Sequence, residues 1–225
     1  MKALESGDWN HRWTPAELVA ISNRHRPNFA PGAGYSYCNT CFVLAGRIIE
    51  KVTGNALDDE MSRRIFVPLK LRSTSFDRAP TIKGPHIHGY ELVGKPPLTD
   101  TSDISPTYGW SAGAIVSTSD DIARFYRALV TERLIRPAEL AAMRTTIKAP
   151  GLESGLGIVE LALPCGKVWG HDGGSPGYNA FAFTSASGSR QVVVFVNLGE
   201  DSQSSKAKAA ISQLLTTAYC GSTGA

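Results

Sequence analysis

Long apolar runs and an excess of one charge are the features that this sequence most clearly lacks. No stretch approaches the roughly 18 consecutive apolar residues that a membrane helix needs. The opening stretch MKALESGDWNHRW has no apolar core of the kind found in signal peptides. The 23 basic and 20 acidic residues leave a net charge of only +3, dispersed along the chain. We therefore expect neither a membrane span nor a nucleic-acid partner.

The composition is that of a globular domain. The chain has 225 residues, of which 42% are hydrophobic and 19% are charged, so it can bury a sizeable core. It contains no internal repeat and no linker-like stretch. We therefore expect one domain, or one domain with a lobe.

Helix signals fill the first part of the chain. Thr14-Pro15-Ala16-Glu17 is a capping box with proline at the first helical position. A later helix ending at Gly54 has a broad apolar face, so we expect it to be central and buried. The patterns predict helices from Pro15 to Ser22, from Asn39 or Thr40 to Gly54, from Ala56 to Phe66 with Pro68 as the stop, after Ser117 to Asp121, and from Pro137 to Met143.

Beyond Gly155 the apolar period changes to two, which is typical of strands. Strands are predicted over Leu156 to Ala162, Lys167 to His171, Ala180 to Ser185 and Gln191 to Leu198, followed by a final helix over Ser204 to Tyr219. The loop-rich stretch from Arg72 to Ser111 is either a long loop or a few short strands such as His88 to Val93. The fold class is therefore α/β of the α+β type. A helical lobe with loops, about residues 1–150, precedes an antiparallel sheet with a flanking C-terminal helix, about residues 151–225.

One strand ends in a polar, glycine-rich stretch, KVWGHDGGSPGY, from Lys167 to Tyr178. Glycines at a strand end let a ligand approach the backbone closely, and His171 and Asp172 would supply polar side chains there. The stretch therefore has two interpretations, an ordinary hairpin or one wall of an active site.

The four cysteines fall into two groups. Cys38 and Cys41 form a C-x-x-C, which could be a redox dithiol, half of a zinc site, or two small buried thiols at the start of a helix. Because no second ligand pair has suitable spacing and the preceding PGAGYSY is a loop, two buried thiols are favoured. A bond between Cys165 and Cys220 would join the C-terminal helix to the sheet and would indicate an oxidising compartment.

Three segments together resemble the serine β-lactamase-like family, which contains class C β-lactamases, secreted D-alanyl-D-alanine carboxypeptidases and related esterases. They are GYSYCNTCFVLAGRIIEKVTG, GWSAGAIVSTSDDIARFYRAL and WGHDGGSPGY. Members of this family use a Ser-x-x-Lys, a Tyr-x-Asn, and a Lys-Thr-Gly or His-x-Gly. Tyr37-Cys38-Asn39 matches the second motif and His171-Asp172-Gly173 matches the third. The resemblance implies a β-lactamase/transpeptidase-like fold over almost the whole chain.

The resemblance also implies roles for individual residues in acyl transfer from an amide or ester. Tyr37 would shuttle a proton, Asn39 would hold the substrate carbonyl, and His171 would polarise the proton network. The backbone N–H of Gly174 would supply half of the oxyanion hole. The remaining residues assigned to substrate binding are Trp110, Asp172 and Gly173. The simpler alternatives are a packed loop tyrosine for Tyr37 and an ordinary N-cap for Asn39.

By the same resemblance, Cys165 and Cys220 lie where secreted members form a disulfide. The parent protein would then be secreted or periplasmic. The family acts on a small-molecule or peptide substrate and needs neither a cofactor nor a metal.

The family's nucleophile motif is not found at its expected place. The one Ser-x-x-Lys, Ser205-Lys206-Ala207-Lys208, follows the His-x-Gly on the last helix, and we interpret it as coincidence. The sequence therefore predicts a partial domain that lacks an N-terminal portion and is inactive by itself. An unpaired apolar sheet edge along Gln191 to Leu198 is also expected.

Two departures from the carboxypeptidase pattern concern the substrate. Val159-Glu160-Leu161 stands where those enzymes can place a basic residue for a free carboxylate, and Asp172 stands where they usually have threonine. Both favour a β-lactamase-like esterase or amidase. The alternatives are a non-catalytic module that binds peptidoglycan peptide or β-lactam, and a redox or metal module at Cys38 and Cys41.

Overall fold

The computed structural model describes residues 9–221. Residues 1–8, which begin the stretch without a signal-peptide core, and residues 222–225 lie outside this range. The helices are α1 (Pro15–Ser22), α2 (Asn39–Thr53), α3 (Leu57–Met61), α4 (Val67–Leu69), α5 (Ser119–Val130), α6 (Pro137–Met143) and α7 (Ser205–Cys220). Within the described range, no helix combines the length and the apolar character needed to cross a bilayer.

The strands pair in three antiparallel sheets. They are β1 (Ser75–Phe76), β2 (Tyr90–Glu91), β3 (Thr99–Asp100), β4 (Ile115–Val116), β5 (Ile147–Ala149), β6 (Leu152–Ser154), β7 (Val159–Leu163), β8 (Gly166–Ser175), β9 (Tyr178–Thr184) and β10 (Gln191–Val196). The chain divides into two compact units, described separately below. One combines residues 9–86 with Ser102–Val116, and the other combines Ile87–Thr101 with residues 117–221. The mixed helical and antiparallel fold class is thus confirmed.

The first unit is built on helix α2. Val43 of α2 packs with Leu57 and Trp110 in its core, and α1 adds Leu18 and Val19 to the same cluster. Local sequence sets the helix ends: the predicted capping box of Thr14 and Glu17 begins α1, and Gly54 ends α2 in the left-handed conformation at φ 73°.

The expectation that α2 is central and buried is wrong for most of the described helix. Val43 and Gly46 are its buried residues. The side chains of Ile48, Ile49 and Val52 are exposed, Val52 to 80%. The main elements that contact α2 are α1, α3 and the turn around Trp110. Val43 packs in the cluster that they form, whereas the side chains of Ile48, Ile49 and Val52 lie outside that cluster and are therefore exposed.

The helix predicted over Ala56 to Phe66 has a different form. Helix α3 ends at Met61, a π-helical turn covers Ser62–Phe66, and α4 then runs to Leu69. Pro68 does not stop the segment, because it lies in the first turn of α4, where its missing N–H needs no partner. Lys70, at φ 56°, ends the segment instead.

The second unit contains a six-stranded sheet in the order β10-β9-β8-β7-β6-β5. Four of its strands were predicted from the alternating apolar pattern. Strands β5 and β6 were not, because each has only three residues and pairs across a turn at Pro150 and Gly151. Strand β10 is an edge strand of this sheet, as expected for the stretch that begins at Gln191.

Helices cover both faces of this sheet. Val159, Val168, Phe183 and Val192 pack on one side with Tyr219 of α7. The neighbouring residue Trp169 points to the other side, where it packs with Ile158 and with Leu129 of α5. Because helices pack on both faces of the sheet, Val168, Trp169 and Gly170 at the centre of β8 are buried. The end of the strand, at residues 172–174, is exposed.

Candidate active site

The first candidate group lies at the start of helix α2. Cys38 is the N-cap residue, and its Sγ accepts a hydrogen bond from the Cys41 backbone N–H at 3.1 Å. Asn39 is therefore the first helical residue, not the cap, and it is exposed. Tyr37 is 50% exposed and its ring lies 5.8 Å from that of Phe42. The helix start thus presents the phenol and the amide at the surface of this unit.

Trp110 has a different environment from the one expected for a residue that lines a cleft. Its side chain is only 5% exposed and packs in the core beneath α2, edge-on to Phe76 at 6.4 Å. Its φ of 39° is unusual for a residue with a side chain, and such strain often accompanies functional segments. The substrate-binding role of Trp110 stays a prediction.

The same turn fixes the position of helix α2. The Ser111 hydroxyl donates to the Phe42 carbonyl at 2.8 Å. Gly46 faces this turn, and a Cβ there would lie 2.6 Å from the Ser111 Oγ and 2.8 Å from the Trp110 ring. Glycine at position 46 therefore allows the turn to approach the helix that displays Tyr37 and Asn39.

The second candidate group lies at the end of strand β8. His171, Asp172, Gly173 and Gly174 pair with Ala182, Phe181, Ala180 and Asn179 of β9. Strand β8 continues to Ser175, beyond the predicted end at His171, because β9 supplies a partner along this whole stretch. The motif is therefore held in a regular ladder and not in a loose loop.

His171 has a defined surrounding at this strand end. Its side chain is 26% exposed, and its Nδ1 lies 2.5 Å from the Asp172 carbonyl oxygen and 3.5 Å from the Asp172 Oδ1. A carbonyl oxygen only accepts, so a hydrogen bond at this contact requires His171 Nδ1 as the donor. Asp172 itself extends into solvent, with its side chain 59% exposed.

The glycines of β8 differ in the space around them. A Cβ on Gly170 would lie 1.8 Å from the Ala182 carbonyl oxygen, whereas a Cβ on Gly173 would have no atom within 4 Å. Gly170 is thus required by the packing of the sheet. Gly173 borders open space, which leaves room for a ligand against the strand.

Tyr126 was not identified from the sequence as part of this region. Its ring packs with that of Phe125, with the ring centroids 5.2 Å apart. Burial raises the pKa of the Tyr126 phenol above its usual value of 10, and the negative charge of Asp172 raises the pKa further. In the sequence, the feature that could have indicated this environment is the polar hydroxyl of Tyr126 on an otherwise apolar helix face.

Three further contacts hold the tip of the β8–β9 hairpin, and the sequence analysis missed all of them. The Gly177 N–H donates to Glu91 Oε2 at 3.2 Å, the Tyr178 hydroxyl donates to the Ile87 carbonyl at 2.9 Å, and the buried Asn179 amide donates to the Leu198 carbonyl at 2.9 Å. The partners lie far apart in sequence, so no local pattern indicates them.

The stretch Val159-Glu160-Leu161 contains no basic side chain, but the neighbouring strand supplies one. Lys167 Nζ lies 2.7 Å from Glu160 Oε1, and this contact raises the pKa of Lys167. The cation is therefore paired with a carboxylate of its own sheet. Val159 is buried in the core.

Both cysteine pairs form disulfides. Cys165 and Cys220 are bonded, as the resemblance implied, and tie the turn before β8 to the end of α7. Cys38 and Cys41 are also bonded, so the favoured prediction of two buried thiols is wrong. Cys41 is exposed, and the two residues are brought within bonding distance because they flank one helical turn.

The predicted site residues thus lie in two groups, Tyr37, Asn39 and Trp110 in the first unit and His171 to Gly174 in the second. Each group is held in position by helices or strands of its own unit. Their catalytic and substrate-binding roles stay predictions.

Comparison with known proteins adds independent information. A model of the Beta-lactamase family matches residues 2–216. A D-aminopeptidase of Cereibacter sphaeroides is 30% identical over 213 residues, which are 89% of this chain and 38% of the relative. Penicillin-binding protein 4* of Bacillus subtilis is 25% identical over 190 residues, which are 78% of this chain and 42% of the relative.

Two solved structures are also similar to this chain. A D-stereospecific amidohydrolase from Streptomyces sp. superposes with a TM-score of 0.88 at 33% identity, covering 98% of this chain and 67% of that one. A D-amino acid amidase from Ochrobactrum anthropi SV3, complexed with L-phenylalanine amide, superposes with a TM-score of 0.80 at 28% identity, covering 91% and 62%. The chain spans less than half of the two curated relatives named above and about two thirds of these two structures.

Proposed function

Because the chain belongs to the Beta-lactamase family, we propose that it forms part of a serine hydrolase. This hydrolase cleaves amides of D-amino acids through an acyl-enzyme intermediate. The observation that carries the proposal is the 0.88 TM-score to a D-stereospecific amidohydrolase over 98% of the chain. The D-aminopeptidase relative, at 30% identity, supports the same substrate class. The proposed substrates, amides of D-amino acids, are a narrower class than the amides, esters and β-lactams that the sequence implies.

The proposed chemistry uses both candidate groups. A serine hydroxyl attacks the amide carbon, its proton passes through Tyr37 to the leaving amine, and water later releases the D-amino acid. Asn39 holds the substrate and His171 polarises the proton network. The N–H of Gly174 stabilises the negative oxygen of the tetrahedral intermediate, and the open space at Gly173 accepts the substrate backbone.

The nucleophile is not assigned within these 225 residues. Ser205 begins helix α7, and the Lys208 Nζ of the same Ser-x-x-Lys lies 3.7 Å from Glu200 Oε1, so the lysine faces a carboxylate partner. We infer that these 225 residues supply the Tyr-x-Asn and His-x-Gly parts of the site. They are not expected to form an acyl-enzyme by themselves.

Labelling with a fluorescent penicillin tests this assignment. The chain should remain unlabelled, while a full-length D-amino acid amidase of the same family serves as the positive control. Stoichiometric labelling of this chain would contradict the assignment, and the labelled peptide would identify the nucleophile.

A second candidate function is ligand binding without turnover, which the open space at Gly173 favours. D-phenylalanine amide should raise the thermal unfolding midpoint more than L-phenylalanine amide does, with no ammonia released. Gly173→Ala should remove the difference between the enantiomers. Equal shifts for both enantiomers in the parent chain would argue against a D-amino acid site.

The compartment is part of the same proposal. Two disulfides in one chain indicate an oxidising environment, such as the periplasm or the cell exterior.

A further inference from the structure

The disulfide between Cys38 and Cys41 is not used by the proposed hydrolase chemistry. Its two residues are only three positions apart, at the start of a helix of 15 residues. The other disulfide, Cys165–Cys220, joins residues 55 positions apart. A crosslink across three positions restrains the unfolded chain far less than one across 55 positions. Restraint of the unfolded chain therefore explains the short disulfide less well than the long one.

The surroundings of the short disulfide favour its opening and closing. The Cys41 backbone N–H donates to Cys38 Sγ, so a thiolate on Cys38 would keep this hydrogen bond. The same sulfur caps the positive end of the helix dipole, which stabilises negative charge on Cys38 Sγ and makes it a better leaving group. Cys41 is exposed, so an incoming thiol can reach its side of the bond, while Cys38 is half-buried.

We propose that Cys38–Cys41 is a thiol–disulfide exchange site that takes a dithiol protein of the thioredoxin class as its partner. A reductant thiolate attacks the sulfur of Cys41, the bond between the two cysteines breaks, and Cys38 leaves as a thiolate. The second reductant thiolate then attacks the mixed disulfide and releases Cys41. The reductant becomes a disulfide and its two protons end on Cys38 and Cys41.

The exchange has a direct local consequence. The disulfide closes a short ring that contains Asn39 and begins immediately after Tyr37. Opening the ring removes a covalent restraint on the backbone of Asn39, next to Tyr37, while the capping hydrogen bond to Cys38 is retained. The proposal itself concerns the exchange and is independent of any hydrolase activity.

Differential alkylation measures the exchange, with the second disulfide as a control in the same molecule. The folded, oxidised protein is incubated with thioredoxin, its reductase and NADPH, quenched with one alkylating reagent, unfolded, reduced and treated with a second. Peptide mass spectrometry then gives the open fraction of each pair. Cys38–Cys41 should open at least about tenfold faster than Cys165–Cys220. Equal rates, or faster opening of Cys165–Cys220, would overturn the proposal.

A trapping experiment tests which sulfur is attacked. Thioredoxin whose resolving cysteine is replaced by serine should form a mixed disulfide with the parent chain at Cys41. The Cys38→Ser/Cys41→Ser double variant should form none, and it also serves as a folding control by circular dichroism. A complex mapped to Cys38, to Cys165 or to Cys220 would contradict the assignment, as would unfolding of the protein when the short disulfide opens.

Discussion

Two glycines on strand β8 have opposite requirements although they lie three residues apart. Gly170 meets the carbonyl of Ala182 across the ladder, and Gly173 borders open space. Sequence reasoning assigned Gly173 to substrate binding, and the open space is compatible with that role. It could not separate the two glycines, because only the partner strand decides which of them tolerates a side chain.

Substitution of each glycine by alanine should therefore give different results. Gly170→Ala should lower the free energy of unfolding by about 3 kcal/mol or more, since a Cβ and a carbonyl oxygen cannot occupy the same space. Gly173→Ala should change it by less than about 1 kcal/mol. Urea unfolding followed by circular dichroism measures both. Similar losses for the two variants would show that the space at Gly173 is not open.

Glu60 is the other residue with a specific energetic role. Its carboxylate accepts hydrogen bonds from Arg63 at 2.7 Å and 2.9 Å, from Asn55 at 2.8 Å, and from Arg64. The hydrogen bonds from Arg63 and Asn55 are the main reason why the pKa of Glu60 is lowered from 4.5 to about 2.

This lowered pKa predicts how stability depends on pH. The contribution of Glu60 is present above its unfolded pKa of 4.5 and is lost as the pH falls toward the folded value of about 2. Glu60→Gln should therefore reduce the loss of stability between these pH values, whereas the matched control Asp59→Asn, at an exposed position of the same helix, should retain the parent's slope. Chemical unfolding at a series of pH values measures the slopes. Equal slopes for the parent and Glu60→Gln would contradict the prediction.

Helix α2 shows how one element combines local and tertiary requirements. Its N-cap at Cys38 and its left-handed end at Gly54 are local features, and its predicted bounds are confirmed. Gly46 in its middle is unfavourable for a helix and is explained by the turn of Trp110 and Ser111 that packs against it.

The two requirements predict opposite signs for Gly46→Ala. Helix propensity alone would stabilise the variant by about 1 kcal/mol. The contacts at 2.6 Å and 2.8 Å involve a side chain held by its own hydrogen bond and a buried ring, so we expect a net loss of about 1–3 kcal/mol. Thermal or urea unfolding gives the sign. Ala45→Gly, at an exposed position of α2, should cost about 1 kcal/mol and calibrates the propensity effect. A gain in stability for Gly46→Ala would refute the packing argument.

For the whole molecule, the two disulfides should contribute unequally to stability. Removing Cys165–Cys220, which spans 55 positions, should cost about 4 kcal/mol. Removing Cys38–Cys41, which spans three, should cost about 2 kcal/mol or less. Paired Cys→Ser variants and urea unfolding measure the difference. A larger loss from the Cys38 and Cys41 variant would show that the short disulfide is a structural crosslink.

The sequence by itself determined what depends on neighbouring residues. The capping box at Thr14, the helix from Pro137 to Met143 and the apolar alternation of β7 to β10 act within one turn or one strand, so they were predictable. The Tyr-x-Asn and His-x-Gly motifs were likewise visible as short patterns, and they led to the family.

Tertiary structure decided everything that depends on a distant partner. The burial of Trp110, the nearness of Tyr126 to Asp172, the extension of β8 to Ser175 and the clash that requires Gly170 each depend on a residue of another structural element. A pattern of two or four residues records the local preference of the backbone. It does not record which strand, turn or charge will lie against that backbone in the folded protein, and that contact sets the burial, the pKa and the space at each position.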